Sequence, residues 1–148
     1  MDEFTIEING LSDREIVVLY NFIVDYETQY KDVKSKEFVK KFPNFKCLES
    51  LLEFDRKCKN EMKEVRKTKK ADLIYMTESK QLLTFLKHLR NAFVHSQLIK
   101  NSEEVILIDY SIEERTKKSN KEISAYGVIS NKTFEDLIDC LTNIKLYK

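Results

Sequence analysis

Only two glycines and one proline interrupt the 148 residues. Folds with many tight turns need glycine and proline at those turns, so this scarcity points to helices with few breaks. The single proline, Pro43, should end a helix, because proline disfavours the α conformation in the residue before it. The length suits one domain, spanning residues 1–148.

Periodicity fills in that picture. Ser12 and Glu15 form a capping-box pattern ahead of Ile16, Leu19, Tyr20, Ile23 and Tyr26, which predicts a helix from Ser12 to Tyr30. A short helix is expected near Lys36–Phe42. Asn44 can cap a third, running to about Lys70 on the stripe Leu48, Leu51, Leu52, Cys58, Met62 and Val65. Residues 71–76 (ADLIYM) read as a turn or short helical link. Thr77 caps the most regular helix, with Leu82, Phe85, Leu86, Leu89 and Phe93 along one stripe. The period then changes. Val105–Tyr110 and Lys121–Ile129 are β-branched and aromatic, and read as a hairpin with a long charged tip. Tyr110 and Tyr126 are candidates for a cross-strand pair. Asn131 caps a final helix through Phe134, Leu137, Ile138, Leu141 and Ile144. The expected fold is mainly α: a helical bundle with one β-hairpin inserted before the C-terminal helix.

Charge and cysteine usage narrow the chemistry. The net charge is +1, so a nucleic-acid role must rest on a local patch. Arg56–Lys70 carries eight Lys or Arg against two Glu. It is either a solvated helix face or an RNA-backbone track through Lys59, Lys63, Arg66 and Lys67. No aromatics are interleaved, so base stacking is not indicated. Cys47, Cys58 and Cys140 show no paired spacing, and two histidines are too few for a zinc cluster. No metal or cofactor is expected. All three cysteines are expected in or beside the core of a protein in a reducing cytosol. The acidic N-terminus lacks an apolar signal core, and no run approaches the ~18 apolar residues of a membrane span. A soluble cytoplasmic protein is the expectation. There is no Gly-rich phosphate loop, G-x-S-x-G elbow or D-x-D pair.

The segment Leu86–Leu98 (LKHLRNAFVHSQL) carries the most chemistry. At ~100° per residue, Asn91 and His95 share a face roughly opposite the Leu82–Phe93 stripe. His88 joins that face, as a surface or support residue, and Arg90 lies on its flank. An arginine holds phosphate in a fork, and a histidine can take a proton from a ribose 2′-OH and return one to the leaving oxygen. An asparagine amide can orient the imidazole or a substrate oxygen.

Arg90-Asn91-Ala92-Phe93-Val94-His95 resembles the R-N-x-x-x-H signature of the HEPN superfamily (higher eukaryotes and prokaryotes nucleotide-binding). The leucine-rich turns before it, the hairpin and the closing helix resemble a bacterial HEPN subgroup, over roughly residues 75–145. Many such sequences have glycine where Ser96 follows His95 here. The resemblance implies a metal-independent endoribonuclease that works as a homodimer, with two motifs facing one cleft. Arg90 would bind the scissile phosphate, His95 would act as general base or acid, and Asn91 would orient the site. His88 and Ser96 would join the basic residues as RNA contacts. Many family members serve in toxin–antitoxin or phage-defence systems, which would add an antitoxin protein as a partner. The alternative is a non-catalytic HEPN dimer module that binds nucleotide, RNA or a protein.

Overall fold

The computed structural model describes residues 10–67, 70–112 and 121–145. Helix α1 (Asp13–Asp25) starts where the capping box predicts: Ser12 Oγ accepts the Glu15 N–H at 3.2 Å, and Glu15 Oε1 accepts the Ser12 N–H at 2.9 Å. It continues into a π-helical turn, Tyr26–Tyr30. Helix α2 (Ser35–Lys41) follows and stops before Pro43. Tyr30 meets the rings of Phe38, Phe42 and Phe45 edge-on, with centroids 4.7–5.9 Å apart, and so ties the end of the first helical segment to α2.

The next segment departs from the long helix expected up to Lys70. It divides into α3 (Lys46–Leu51), strand β1 (Glu53–Arg56), the one-turn α4 (Lys59–Met62) and a 3₁₀ turn, Val65–Lys67. Residues 71–76, expected as a link, hold strand β2 (Leu73–Met76). Helix α5 (Leu82–Val94) then precedes β3 (Leu98–Lys100), β4 (Glu104–Ile112), β5 (Lys121–Ser130) and α6 (Asn131–Lys145). The β4–β5 hairpin is the expected one. Its tip, 113–120, lies outside the described residues.

The strands form one mixed sheet in the order β1-β2-β5-β4-β3, with β1 and β2 parallel and the other pairs antiparallel. The expected mainly helical HEPN-like bundle is therefore corrected to an α+β fold. The described residues 57–67 and 70–72 belong to the crossover that a parallel pair requires. They carry α4 and the 3₁₀ turn onto one face of the sheet, where Met62 and Val65 pack on Tyr75, Ile108, Tyr126 and Val128. On the other face Ile74, Met76, Val105, Leu107, Ala125 and Ile129 meet α1, α3, α5 and α6 in the main core. The apolar stripe expected along one long helix is thus divided between two cores. Leu48 and Leu52 belong to one, Met62 and Val65 to the other. Full burial of one such side chain contributes roughly 1.5–3 kcal/mol, enough for the division to outweigh helix propensity.

Further local expectations shift. Helix α5 begins after Gln81 rather than Thr77, whose N–H donates to the Ser124 carbonyl at 3.1 Å at the end of the sheet. Ser130 takes the capping role expected of Asn131, with its Oγ accepting the Thr133 N–H at 3.3 Å. Tyr126 stands opposite Ile108 and Tyr110 opposite Ile123, so the two tyrosines do not pair directly. Cys58 is exposed, and Cys47 on α3 is joined by a disulfide to Cys140 on α6, their Cα atoms 6.4 Å apart. Three free thiols in or beside the core were the expectation. Among the described residues no helix is long and apolar enough to cross a membrane.

Candidate functional site

Helix α5 lies across the main-core face of the sheet. Leu82, Phe85, Leu86 and Leu89 are buried as its stripe predicts, together with Ala92, while Phe93 is half-buried. At His88 and Asn91 the face expected to point away from the core is also covered, because β4 sends Asp109 toward it. Asp109 occupies the strand face of Val105 and Leu107, and its side chain is buried. One carboxylate oxygen, Oδ2, receives two side chains of α5: His88 Nδ1 at 2.6 Å and the Asn91 Nδ2–H at 3.1 Å.

From that junction a row of polar groups runs in both directions. His88 Nε2 stands 3.0 Å from Glu78 Oε1, and the Lys87 ammonium donates to Glu78 Oε2 at 2.6 Å. On the other side Arg90 Nη1 donates to Asn91 Oδ1 at 2.9 Å. Arg90 Nη2 pairs with Glu27 Oε2 at 2.7 Å, and Lys31 donates to Glu27 Oε1 at 3.1 Å. Burial alone would raise the pKa of Glu78, but Lys87 and His88 bring it below the ordinary carboxylate value. The Lys31 hydrogen bond, aided by the Arg90 charge, lowers that of Glu27.

The helix ends in a Schellman motif. The Gln97 N–H donates to the Ala92 carbonyl at 2.7 Å and the Ser96 N–H to that of Phe93 at 3.2 Å. Ser96 takes the left-handed conformation this requires, with φ 58°. His95 is the C-cap residue. Its side chain is exposed, and its imidazole makes no hydrogen bond to a described residue.

The structure therefore joins Arg90 and Asn91 directly, links both to His88 through Asp109, and leaves His95 outside the row. His88 is only 1% exposed and has no surface to offer an RNA. This corrects its expected place on an outward face. Ser96 is exposed beside His95. Lys59, Lys63, Arg66 and Lys67 ride on α4 and the adjoining 3₁₀ turn, so the sheet stands between them and Arg90. Lys59 is paired with Glu122 at 3.6 Å and Lys67 with Glu64 at 2.7 Å, which reduces the charge they present. A hollow of about 400 Å³, lined by Lys57, Glu61, Glu64, Val65 and Tyr75, opens on that far side.

Sequence reading missed Asp109, Glu78 and Glu27. Asp109 had a readable signal: it is the one charged residue in the apolar run VILIDY, and a carboxylate in a buried strand requires a partner. Glu27 and Glu78 are acids in polar surroundings and gave no such signal. Among the described residues no group of three or more His, Cys, Asp or Glu is arranged to hold a metal ion. No protein-family model, curated protein or solved structure matches the chain.

Proposed function

We propose that this protein is a metal-independent endoribonuclease of a defence or toxin–antitoxin type, as the R-N-x-x-x-H resemblance implies. The observation that carries the reading is the contrast along α5. Arg90 and Asn91 are held by hydrogen bonds, while the His95 imidazole is exposed and makes no hydrogen bond to a described residue. Phosphodiester cleavage requires preorganised donors and an accessible acid–base group, and α5 carries both. In the proposed step the ribose 2′-oxygen attacks phosphorus and the P–O5′ bond breaks. His95 takes the 2′-OH proton, and a second acid, His95 of a partner copy in a homodimer, protonates the leaving oxygen. Arg90 binds the phosphate and Asn91 holds the guanidinium in place. The products are a 2′,3′-cyclic phosphate and a 5′-OH.

The exposed apolar residues Val17, Tyr20 and Val24 support the dimer. They form one stripe of α1 that leads to Glu27, the partner of Arg90. A chain that stays monomeric in sedimentation at working concentration counts against this part. An antitoxin protein would be a further partner, without which expression should slow growth. The reading places the chain with cytoplasmic RNA, where the thiol pool works against the Cys47–Cys140 bond. Alkylation in a denaturing quench tests the location: three modified cysteines support it, and Cys58 alone modified, with the Cys47–Cys140 bond retained, counts against it.

One observation favours the alternative, a non-catalytic module that binds nucleotide, RNA or a protein. Arg90 is already ion-paired with Glu27 within the chain, which suits a structural role. Cleavage of a mixed RNA pool in EDTA separates the two readings. Wild type should yield cyclic-phosphate ends while His95→Ala and Arg90→Lys yield few or none, since an ammonium cannot reproduce the guanidinium fork. Equal cleavage by wild type and His95→Ala removes the ribonuclease reading, and no cleavage by any of them favours the module.

A further inference from the structure

We infer that Glu27 occupies the place of an RNA phosphate between Arg90 and Lys31, and that Lys31 is a second phosphate-binding residue of this site. The inference rests on the ribonuclease reading and adds to it a residue and an internal competitor. One carboxylate is gripped by two cations from different elements. Arg90 Nη2 on α5 holds Oε2 at 2.7 Å, and Lys31, just past the π-helical turn, holds Oε1 at 3.1 Å. A phosphodiester also offers two anionic oxygens, and arginine forks accept carboxylate and phosphate alike.

The guanidinium is only half used. Its Nη1 is committed to Asn91 and its Nη2 to Glu27, while Nε is buried without a hydrogen-bond partner. The edge formed by Nε and Nη2 is the one that takes two oxygens in parallel. A single oxygen from Glu27 leaves that edge incomplete, and a phosphate seated there completes it. Both side chains are about one-third exposed, Glu27 at 34% and Arg90 at 29%, so an anion from solution can displace the carboxylate. Once displaced, Glu27 frees Lys31 as well, and two cations become available to the backbone of the RNA. In the free protein the chain's own carboxylate contacts both and offsets one of their two charges.

The test is fluorescence anisotropy with a labelled single-stranded RNA blocked against cleavage by 2′-O-methylation. It uses wild type, Glu27→Gln, Lys31→Ala, the double variant and Arg90→Gln. Glu49→Gln on α3 serves as a charge-matched control. Glu27→Gln should tighten binding on the order of tenfold, the worth of one charge-assisted contact, and Glu49→Gln should not. Lys31→Ala should cost more affinity in the Glu27→Gln background than in wild type, because in wild type Lys31 must give up its contact with Glu27 to bind the RNA. The inference is overturned if Glu27→Gln binds no better than Glu49→Gln, or if Lys31→Ala is silent in both backgrounds. In those cases the ribonuclease reading stands so long as Arg90→Gln weakens binding. If Arg90→Gln binds like wild type, or no variant binds, the ribonuclease reading itself fails and the inference falls with it.

Discussion

His88 and His95 stand seven residues apart on the same helix and occupy opposite environments. His88 is buried, with a carboxylate at each ring nitrogen, Asp109 on one side and Glu78 on the other. His95 caps the end of α5, exposed and without a hydrogen bond to a described residue. An imidazole enclosed by partners contributes to stability and has little freedom to exchange a proton with a substrate. An imidazole at a helix end has that freedom and contributes little to the fold. Residue type alone would assign the two histidines the same role, and their partners separate them.

The largest effect expected from this contrast is on cleavage. His95→Ala should lower the cleavage rate by about 10²–10⁴-fold, the usual worth of a positioned acid–base group. Its stability should stay within about 0.5 kcal/mol of wild type. A mutant that melts early would make His95 structural and erase the contrast. Asp109→Ala should act through the fold instead. Removing it leaves buried His88 and half-buried Asn91 without their shared acceptor, a loss of about 3–5 kcal/mol. That is readable as a shifted urea midpoint, and a loss below about 1 kcal/mol would mean that the row is not held as described.

Asp72 offers a smaller comparison at another corner. It sits at φ 66° and accepts hydrogen bonds from Ser130 N at 2.9 Å and Thr133 Oγ1 at 2.9 Å, pinning the start of β2 to the cap of α6. Asp72→Ala should cost about 1–3 kcal/mol, with no change in cleavage per folded molecule. The smallest effect should come from Ser96→Gly. Glycine relieves the left-handed backbone at the Schellman turn and should stabilise the protein by about 0.5–1 kcal/mol. If cleavage also changes, the backbone beside His95 tunes its position, which would sharpen the distinction between the two ends of α5.

The scarcity of glycine and proline misled because this sheet needs few tight turns. β1 and β2 are joined by the α4 crossover, and β2 pairs with β5 from far along the chain. Between β3 and β4 the turn uses Asn101, whose Oδ1 accepts the N–H groups of Glu103 and Glu104 at 2.8 and 2.9 Å. Neither glycine marks a hairpin. Gly127 lies inside β5, where a Cβ would overlap the Ile74 side chain. β1 itself reads EFDR, four residues at a sheet edge, too short and too charged to show alternation.

What the sequence determined alone was local. The capping box starts α1, the hydrophobic stripe of α5 buries its leucines, and the β-branched and aromatic runs of β4 and β5 build their hairpin, because each signal comes from residues close to one another in the chain. Only the tertiary structure decided that the back of α5 faces β4. It also decided that Asp109 gathers His88 and Asn91, that Glu27 meets Arg90, and that the basic segment lies across the sheet from them. These contacts join residues 18 to 63 positions apart. They form because the sheet, once closed by long-range pairing, presents a second surface that helical periodicity cannot encode.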